Sequence, residues 1–420
     1  MNIRITRKEM VFLIFAIICG ISKLEPYRVS EYFSNTIALI WILLSFNTGR
    51  HLGNSNNAIF HIKLAILPLV FMIVYTLFNW AFFPPIGAAN TLGYYTRMLS
   101  TNFFLVVSFI FICRAYIVFG KRTLELVWMS MILSYSFIHI PNAIIHCGLV
   151  NVIKNMIISN DANGVNQYLE IHDLIFALGF FFIFFIVCGR EFNVRHLLGK
   201  EIITIAYIWI GYKRIELVAI VLVISFYFLF DKYVPKRKRQ YVIIGVVCII
   251  VSVAFIVMIY SGTLSAMALR FGINFNYRID TWSYWASRSS LSLTYRGLGM
   301  NYVDKETNYL TIRQGFLISG YIVLEGMHSD LFKKYVELGF IPFIAWLYYI
   351  ITYKTRKMYF KQGFYVAEIY LLCTLFVIVL YLTDNVFNYF LCNISYLLIP
   401  MVAYECSEGM NIAPKLKIDN

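Results

Sequence analysis

Residues 240–260, QYVIIGVVCIIVSVAFIVMIY, form a run of 21 residues without a charged side chain. A helix needs about 20 mostly apolar residues to cross the hydrocarbon core of a bilayer. Five lysines and arginines lie just before the run, within residues 232–239. Because cytoplasmic loops are enriched in such cations, the pattern predicts a membrane-spanning helix that starts on the cytoplasmic side.

Similar apolar runs recur along the whole chain. Hydrophobic residues make up 60% of the sequence and charged residues 14%, whereas about 25% of the residues in a soluble domain are charged. So few charges cannot cover a water-exposed surface of this size. We therefore predict an all-α, polytopic integral membrane protein, with residues 1–420 forming a single transmembrane domain of about 12 helices. The expected helices lie near 9–23, 33–46, 62–82, 98–119, 124–146, 171–189, 199–211, 214–230, 240–260, 333–352, 364–383 and 385–404.

The distribution of lysine and arginine predicts the orientation of these helices. If the N-terminus is cytoplasmic, 21 of these cations lie in cytoplasmic segments and 6 lie in short outside loops. This excess predicts that both termini are cytoplasmic. The one long hydrophilic segment, near 261–332, then lies outside, and long loops do not enter the count. The six outside cations are Lys23, Arg28, Arg97, Lys154, Lys213 and Arg214.

The net charge of +14 would suggest nucleic-acid binding in a soluble protein. In this sequence the cations are spread through loops between apolar runs and form no basic domain. Positive-inside topology and attraction to anionic membrane lipids account for such a distribution. We therefore expect membrane lipids as partners and no nucleic acid.

Sequence motifs for metals and nucleotides are absent. The chain has no P-loop, Gly-x-Gly-x-x-Gly, His-Glu-x-x-His or Asp-x-Asp motif. Its eight cysteines stand singly, with no Cys-x-x-Cys pair that would indicate a zinc site. We therefore predict neither a metal nor another cofactor. Six histidines lack ligand spacing and receive no role, namely His51, His61, His139, His146, His172 and His196.

Two adjacent cations, Lys213 and Arg214, occupy a tight turn between the expected helices 199–211 and 214–230. The positive-inside rule disfavours cations at an outer turn this short. Glu216 adds an ionisable group within the membrane, where such residues mark functional sites. The turn is therefore a candidate functional site. The alternatives are that its long side chains anchor the helix at the membrane interface, or that Arg214 pairs locally with Glu216.

The long segment near 261–332 combines arginine with aromatic residues. The planar fork of arginine binds phosphate oxygens in pairs, and aromatic rings offer a large apolar face on which sugars stack. His328 is the only histidine of the segment, and an imidazole can take a hydroxyl proton near neutral pH. A solvated loop with interfacial amphipathic helices would have the same composition. The prominent side chains are Arg270, Arg278, Trp282, Trp285, Arg288 and Arg296.

Taken in order, these elements resemble the C-terminal signature of the superfamily of O-antigen polymerases and O-antigen ligases. That signature combines an Arg-x-x-x-Trp-like element, a Gly-x-Gly turn, and a His-[Asn/Ser] start to a helix that ends in Glu-x-Gly. Lys213-Arg214 resembles the arginine at the outer start of a family helix, and residues 160–164 (NDANG) resemble the Asn-Gly turn of an earlier outside loop. The stretch of about thirty residues between Gly299 and His328 departs from the family pattern. The matching elements are Tyr277-Arg278-Ile279-Asp280-Thr281-Trp282, Arg296-Gly297-Leu298-Gly299, and His328-Ser329-Asp330-Leu331 with Glu337-Leu338-Gly339-Phe340.

The resemblance implies a glycosyltransferase of the bacterial inner membrane whose active site faces the periplasm, with a periplasmic loop near 261–332. Its donor would be a glycan on an undecaprenyl diphosphate carrier and its acceptor another lipid-linked repeat unit, without metal or nucleotide. A chain-length regulator and a flippase are implied partners. In this scheme Arg214 and Arg278 stabilise the departing diphosphate, and His328 takes the proton of the attacking hydroxyl. The implied substrate-binding residues are Lys213, Arg288, Arg296, Trp282, Asp280, Asp330 and Glu337.

Polymerisation of an O-antigen repeat unit is the function expected first. The nearest alternative is a ligase that moves the finished glycan onto lipid A-core, because it uses the same donor chemistry. A flippase for the same units suits twelve helices, but transporters are commonly built from internal repeats, and none is visible. A non-enzymatic assembly subunit is the fourth alternative, and it predicts that Arg214 and His328 are dispensable.

Overall fold

The fold comes from a computed structural model, in which nearly every described residue lies in or beside a helix. This confirms the expected all-α class. The exception among the described residues is a single antiparallel pair of two-residue β-strands. The structure describes residues 5–21, 32–46, 52–87, 89–158, 164–211, 213–233, 238–272, 278–314, 317–318, 321–322 and 327–409.

Helices and strands are numbered in chain order over these described residues, and two π-helical turns interrupt longer helices. The elements are α1 (Arg7–Cys19), α2 (Phe33–Leu44), α3 (Leu52–Phe82), α4 (Thr91–Phe119), α5 (Arg122–Ser134), π1 (Tyr135–His139), α6 (Ile140–Cys147), α7 (Leu149–Ile158), α8 (Asn166–Leu169), α9 (His172–Cys188), α10 (Leu197–Gly211), α11 (Arg214–Tyr233), α12 (Lys238–Tyr260), α13 (Thr263–Phe271), α14 (Arg278–Ser287), α15 (Tyr302–Gln314), β1 (Leu317–Ile318), β2 (Tyr321–Ile322), α16 (Asp330–Leu338), α17 (Phe340–Tyr348), π2 (Tyr349–Tyr353), α18 (Lys354–Gln362), α19 (Phe364–Tyr381) and α20 (Phe390–Gly409).

Six of the described helices are long and apolar enough to cross a membrane. The most hydrophobic of them, α12, contains the charge-free run, and its Ile243 and Ile250 are each 61% exposed. Exposed apolar surface of this extent is unfavourable in water but is solvated by lipid chains. Two further apolar helices, α2 and α9, are shorter. The six candidate spans are Asn54–Phe82, Thr91–Phe119, Arg122–Cys147, Gln240–Tyr260, Phe364–Tyr381 and Phe390–Glu408.

Each of the twelve expected segments overlaps a described helix, but several bounds differ. α4 begins at Thr91 rather than near residue 98, α20 begins at Phe390 rather than near residue 385, and α3 begins at Leu52 rather than near residue 62. Because the first turns of α3 are polar, the sequence predicted a loop at these residues. In the structure Asn57 is 5% exposed and donates hydrogen bonds to the hydroxyl of Tyr116 and the carbonyl of Met401. It also accepts one from Gln362. Because helices on three sides satisfy this amide, a polar turn continues the helix inside the bundle.

The expected helix 333–352 is wrong at its start. The short helix α16 ends at Leu338, and a new helix begins at Phe340. Between them Gly339 has φ +79°, and a Cβ there would overlap the backbone of residues 295–297. This position therefore requires glycine. Lys333 thus belongs to a separate short helix in which every residue is buried, rather than to the long helix that follows.

The loops of the bundle gather at two ends. The described residues of the segments 83–90, 261–329 and 382–389 meet at one end, which we call the loop-rich end, where the hydroxyl of Tyr302 donates a hydrogen bond to Ile86 and the backbone N–H of Asp330 donates one to Asp384. The loop that joins α4 to α5 lies at the other end, where Arg122 pairs with Glu9. The segment predicted to lie outside the membrane therefore lies at the same end of the bundle as the segments 83–90 and 382–389.

Residues 296–298 of the segment 261–332 are anchored to the bundle by side chains of α3, which donate hydrogen bonds to their three successive carbonyls. A Cβ at Gly299 would overlap the indole of Trp80, and a Cβ at Gly297 would overlap the backbone of α16. The Gly-x-Gly element thus allows the segment to lie against two helices at once. The donors are Tyr75, Asn79 and Trp80, at 2.8, 3.0 and 2.8 Å from the carbonyl oxygens of Arg296, Gly297 and Leu298.

Candidate functional site

Asp384 is at the centre of a cluster of polar side chains at the loop-rich end. Its side chain is 1% exposed, and its carboxylate oxygens lie 3.7 Å from Nδ1 of His172 and 3.6 Å from Nζ of Lys213. The hydroxyl of Tyr389 donates a hydrogen bond to Oδ1 at 3.1 Å, and the backbone N–H of Asn385 donates one at 2.9 Å. The carboxylate therefore joins the loop before α20 to the starts of α9 and α11.

Glu170 extends this cluster from the segment before α9. Its Oε1 lies 2.9 Å from Nζ of Lys213 and 3.8 Å from Nε2 of His172. Burial alone would raise the pKa of Asp384, but its interactions with His172 and Lys213 outweigh burial and hold that pKa well below its usual range. Asp384 is therefore a buried carboxylate that stays ionised and keeps the cations around it.

His328 lies beside this cluster, just before α16. Its φ of +47° is uncommon for a residue other than glycine, and its Nδ1 is buried without a hydrogen-bond partner among the described residues. Burial lowers the pKa of the ring to about 4. The charge of Asp384 opposes this shift, and those of Arg278, His172 and Lys213 add to it. The ring is therefore neutral at neutral pH and can accept a proton.

Two side chains fix the backbone around His328. The indole N–H of Trp282 donates a hydrogen bond to the carbonyl of Met327 at 2.7 Å, and its side chain is 1% exposed. Ser329 caps the start of α16 and donates a hydrogen bond to the carbonyl of Tyr381 at 3.1 Å. Trp282 was expected to contact substrate. Because its ring is buried and its N–H is bonded, the geometry favours a role in positioning His328.

The cations of the site come from two places in the sequence. Lys213, in the turn before α11, has a side chain only 11% exposed and points into the cluster. Its neighbour Arg214 is exposed where α11 begins. Arg278 starts α14 and is partly buried, as is Asp280 in the same turn. The structure thus brings Lys213, Arg278 and His328 together, with Arg214 at the surface of the same end.

Asp330 and Glu337 were expected to bind substrate, but both are engaged by other groups. One carboxylate oxygen of Asp330 accepts a hydrogen bond from the backbone N–H of Phe387 at 2.6 Å, and the other lies 2.9 Å from Nζ of Lys333. Glu337 lies seven residues further along α16, about 10 Å along its axis, and 3.1 Å from Nζ of Lys334. Both carboxylates are completely buried, so they hold α16 in place rather than contact the substrate.

Arg288 and Arg296, expected to bind substrate, make their contacts away from His328. The guanidinium of Arg288 lies 4.5 Å from the ring centroid of Tyr284 and 4.0 Å from a carboxylate oxygen of Glu306. The guanidinium of Arg296 lies 3.2 Å from the ring centroid of Phe83. Arg296 therefore faces a different part of the loop-rich end.

Sequence reasoning missed Asp384, His172, Glu170 and Tyr389. A signal for Asp384 was present, because it is an ionisable residue between the two apolar runs that end the chain, and such residues mark functional sites in membrane proteins. His172 was passed over because it lacks ligand spacing, although it begins an apolar helix beside Asp173. Of the motif residues, Tyr277 and residues 160–163 lie outside the described part of the chain.

Over the described ranges, no group of three or more His, Cys, Asp or Glu side chains has an arrangement that could hold a metal ion. Comparisons of the chain with models of protein families, with curated proteins and with solved structures give no match. The residues of the loop-rich end are therefore the basis for assigning a function.

Proposed function

We propose that this protein is a glycosyltransferase of the bacterial inner membrane that polymerises a lipid-linked glycan repeat unit. The observation that carries the proposal is a neutral imidazole, His328, beside the cations Lys213 and Arg278 at one end of an apolar helix bundle. Sugar transfer from an anionic lipid carrier to a hydroxyl requires a base next to cations. The motifs that contain these residues resemble those of O-antigen polymerases, which act on undecaprenyl diphosphate-linked glycans.

In the proposed reaction His328 and the cations act on the two ends of one displacement. The hydroxyl oxygen of the acceptor sugar bonds to the anomeric carbon of the donor, and the bond from that carbon to the diphosphate oxygen breaks. His328 takes the hydroxyl proton, and the electron pair of the broken bond leaves on the diphosphate. Lys213 and Arg278 stabilise this growing negative charge because they are already in place before the reaction.

Asp384 has a positioning role in this scheme. Its carboxylate lies between Lys213 and His172 and stays ionised in the cluster. A buried negative charge holds cations that would otherwise repel one another. It thereby keeps Lys213 close to His328 until the diphosphate of the donor arrives.

The proposal includes twelve membrane spans with both termini in the cytoplasm. The excess of lysine and arginine in the segments expected to be cytoplasmic supports this arrangement. The loop-rich end then faces the periplasm. A donor diphosphate at the level of the lipid headgroups would lie near the turn at Lys213.

The proposed function is tested with purified protein and the undecaprenyl diphosphate-linked repeat unit from its source bacterium, without added metal. We expect a ladder of products that differ by one repeat unit. Transfer to lipid A-core without a ladder would contradict polymerisation and indicate a ligase. Movement of the unit across a vesicle without any new glycosidic bond would contradict an enzyme and indicate a flippase.

The low pKa of His328 predicts how activity depends on pH. The pH dependence of kcat/KM reports the pKa values of the free enzyme. With a pKa of about 4, the ring stays unprotonated, so kcat/KM for polymer formation should not fall between about pH 8 and about pH 5.5. A loss of activity centred near the ordinary histidine value of about 6.5 would contradict the environment described for the ring.

A further inference from the structure

A second concave site lies at the loop-rich end, beside the last turn of α16. It is a groove of about 440 Å³ between the loop after α3 and the segment 290–298. Sites for small ligands have volumes of roughly 300–1,000 Å³. The lining includes Phe83, Pro85, Ser292, Thr294, Tyr295 and Arg296.

The walls of this groove are held rigidly. Three side chains of α3 bind the carbonyls of residues 296–298, which form one wall. The hydroxyl of Tyr302 donates a hydrogen bond to the carbonyl of Ile86 at 2.5 Å and fixes the other wall. The hydroxyl of Tyr295 donates one to the carbonyl of Val336 in α16 at 2.8 Å. Binding to a preformed groove loses little conformational entropy.

The chemistry of the lining suits a carbohydrate. The rings of Phe83 and Tyr295 offer apolar faces, and Ser292 and Thr294 offer hydroxyls, which lie 2.9 Å from each other. The guanidinium of Arg296 stacks on Phe83 and makes no hydrogen bond or ion pair with any other residue that the structure describes. Its N–H donors are therefore available for sugar hydroxyls or for the carboxylate of an acidic sugar.

The groove and His328 lie at opposite ends of the same short helix. The backbone N–H groups of Leu298 and Gly299 donate hydrogen bonds to the carbonyls of Val336 and Glu337, in the last turn of α16. His328 precedes the first turn. Nine helical residues span about 13 Å, a distance that a short oligosaccharide bridges.

We infer that this groove binds the glycan of the acceptor, the second lipid-linked repeat unit. The inference rests on the proposed function and divides the substrates between two sites: Lys213 and Arg278 bind the diphosphate of the donor, and Arg296 binds sugars of the acceptor. A groove of this size holds a few sugar rings, which matches one repeat unit, whereas the donor glycan lengthens with each cycle. One hydroxyl of the acceptor then reaches His328 while its remaining sugars extend to Arg296.

The experiment measures initial rates with a saturating lipid-linked polymer as donor and a fluorescent, lipid-linked single repeat unit as acceptor. For Arg296→Ala and Phe83→Ala we expect the KM for the acceptor to rise about tenfold, because each truncation removes one contact of the groove. The kcat should change by less than about twofold, because neither side chain takes part in the displacement. The control is Leu293→Ala, in the same segment. Leu293 is 68% exposed and does not line the groove, so its KM should equal that of wild type.

Two results would overturn this assignment while polymerisation itself stands. One is an unchanged KM in both groove variants, and the other is a loss of kcat alone in Arg296→Ala. If the wild-type protein forms no product, the proposed function fails, and the repeat-unit oligosaccharide freed of its lipid is titrated directly. Binding to wild type that is about tenfold weaker in Arg296→Ala would still support a glycan site, and equal binding would exclude one.

Discussion

Replacing His328 by asparagine is expected to lower the rate of glycan polymerisation by at least about 100-fold, the usual contribution of a general base. Asparagine adopts left-handed backbone conformations more readily than most residues, so it keeps the φ of +47° that this position requires. It removes the imidazole that takes the acceptor proton. The measurement is the initial rate of ladder formation by purified protein.

His196 supplies a matched control. It also has a positive φ, +53°, but it is exposed and lies between α9 and α10, at the end opposite to the loop-rich end. His196→Asn should retain the wild-type rate, because the same chemical change is then made away from the site. Both variants should unfold at temperatures close to that of wild type. A near-normal rate for His328→Asn would rule out His328 as the base.

The same assay tests whether Arg278 acts through its positive charge alone or also through the planar shape of its guanidinium group. Arg278→Ala removes a cation that we place next to the departing diphosphate, so a loss comparable to that of the histidine variant is expected. Arg278→Lys restores the charge but not the planar fork, and it should recover only part of the activity. Equal activity in Arg278→Ala and wild type would remove Arg278 from the site.

The helices could be predicted because lipid leaves few alternatives. A backbone in a bilayer must satisfy its hydrogen bonds within the helix, so long apolar runs such as residues 240–260 and 364–383 become helices regardless of their neighbours. The predicted helix boundaries were wrong where contacts between distant segments determine where a helix begins or ends. The polar start of α3 is helical because Asn57 finds partners in the bundle. The separate helix α16 exists because Gly339 lies against the segment at 295–297.

The candidate site was only partly visible in the sequence, because its residues come from loops that are far apart along the chain. Motifs identified His328 and Arg278, and the charge pattern identified the turn at Lys213. No local pattern indicates that Asp384 meets Lys213 across about 170 residues. Conversely, the motif made Asp330 and Glu337 candidates for contact with substrate, although neighbouring lysines and backbone groups occupy their carboxylates. The spacing of motifs along the sequence identifies candidate residues, but it does not show which charged side chains pair in the folded protein.

The buried charges of α16 are the part of the site whose disruption should most affect folding. Lys333 is 1% exposed, and its Nζ lies 2.9 Å from a carboxylate oxygen of Asp330 and 3.4 Å from both carboxylate oxygens of Asp304. Burial alone would lower the pKa of Lys333, but the charges of the two aspartates outweigh burial and raise it above its ordinary value. The lysine therefore stays charged and pairs with the buried Asp330 and the partly buried Asp304.

Lys333→Met is expected to lower the free energy of unfolding by about 3–5 kcal/mol, because it leaves the buried carboxylate of Asp330 without its cation partner. Lys305→Met, in the adjacent helix α15, is the control, and a change of at most about 0.5 kcal/mol is expected because Lys305 makes no ion pair with a described residue. Adding Asp304→Asn to Lys333→Met should restore part of the stability, since it removes one of the uncompensated charges. Unfolding of the three variants in mixed micelles with increasing denaturing detergent measures these differences. If Lys333→Met were as stable as Lys305→Met, the ion pairs of Lys333 with Asp330 and Asp304 would not hold α16 in place. The position of His328 at the start of α16 would then need another explanation.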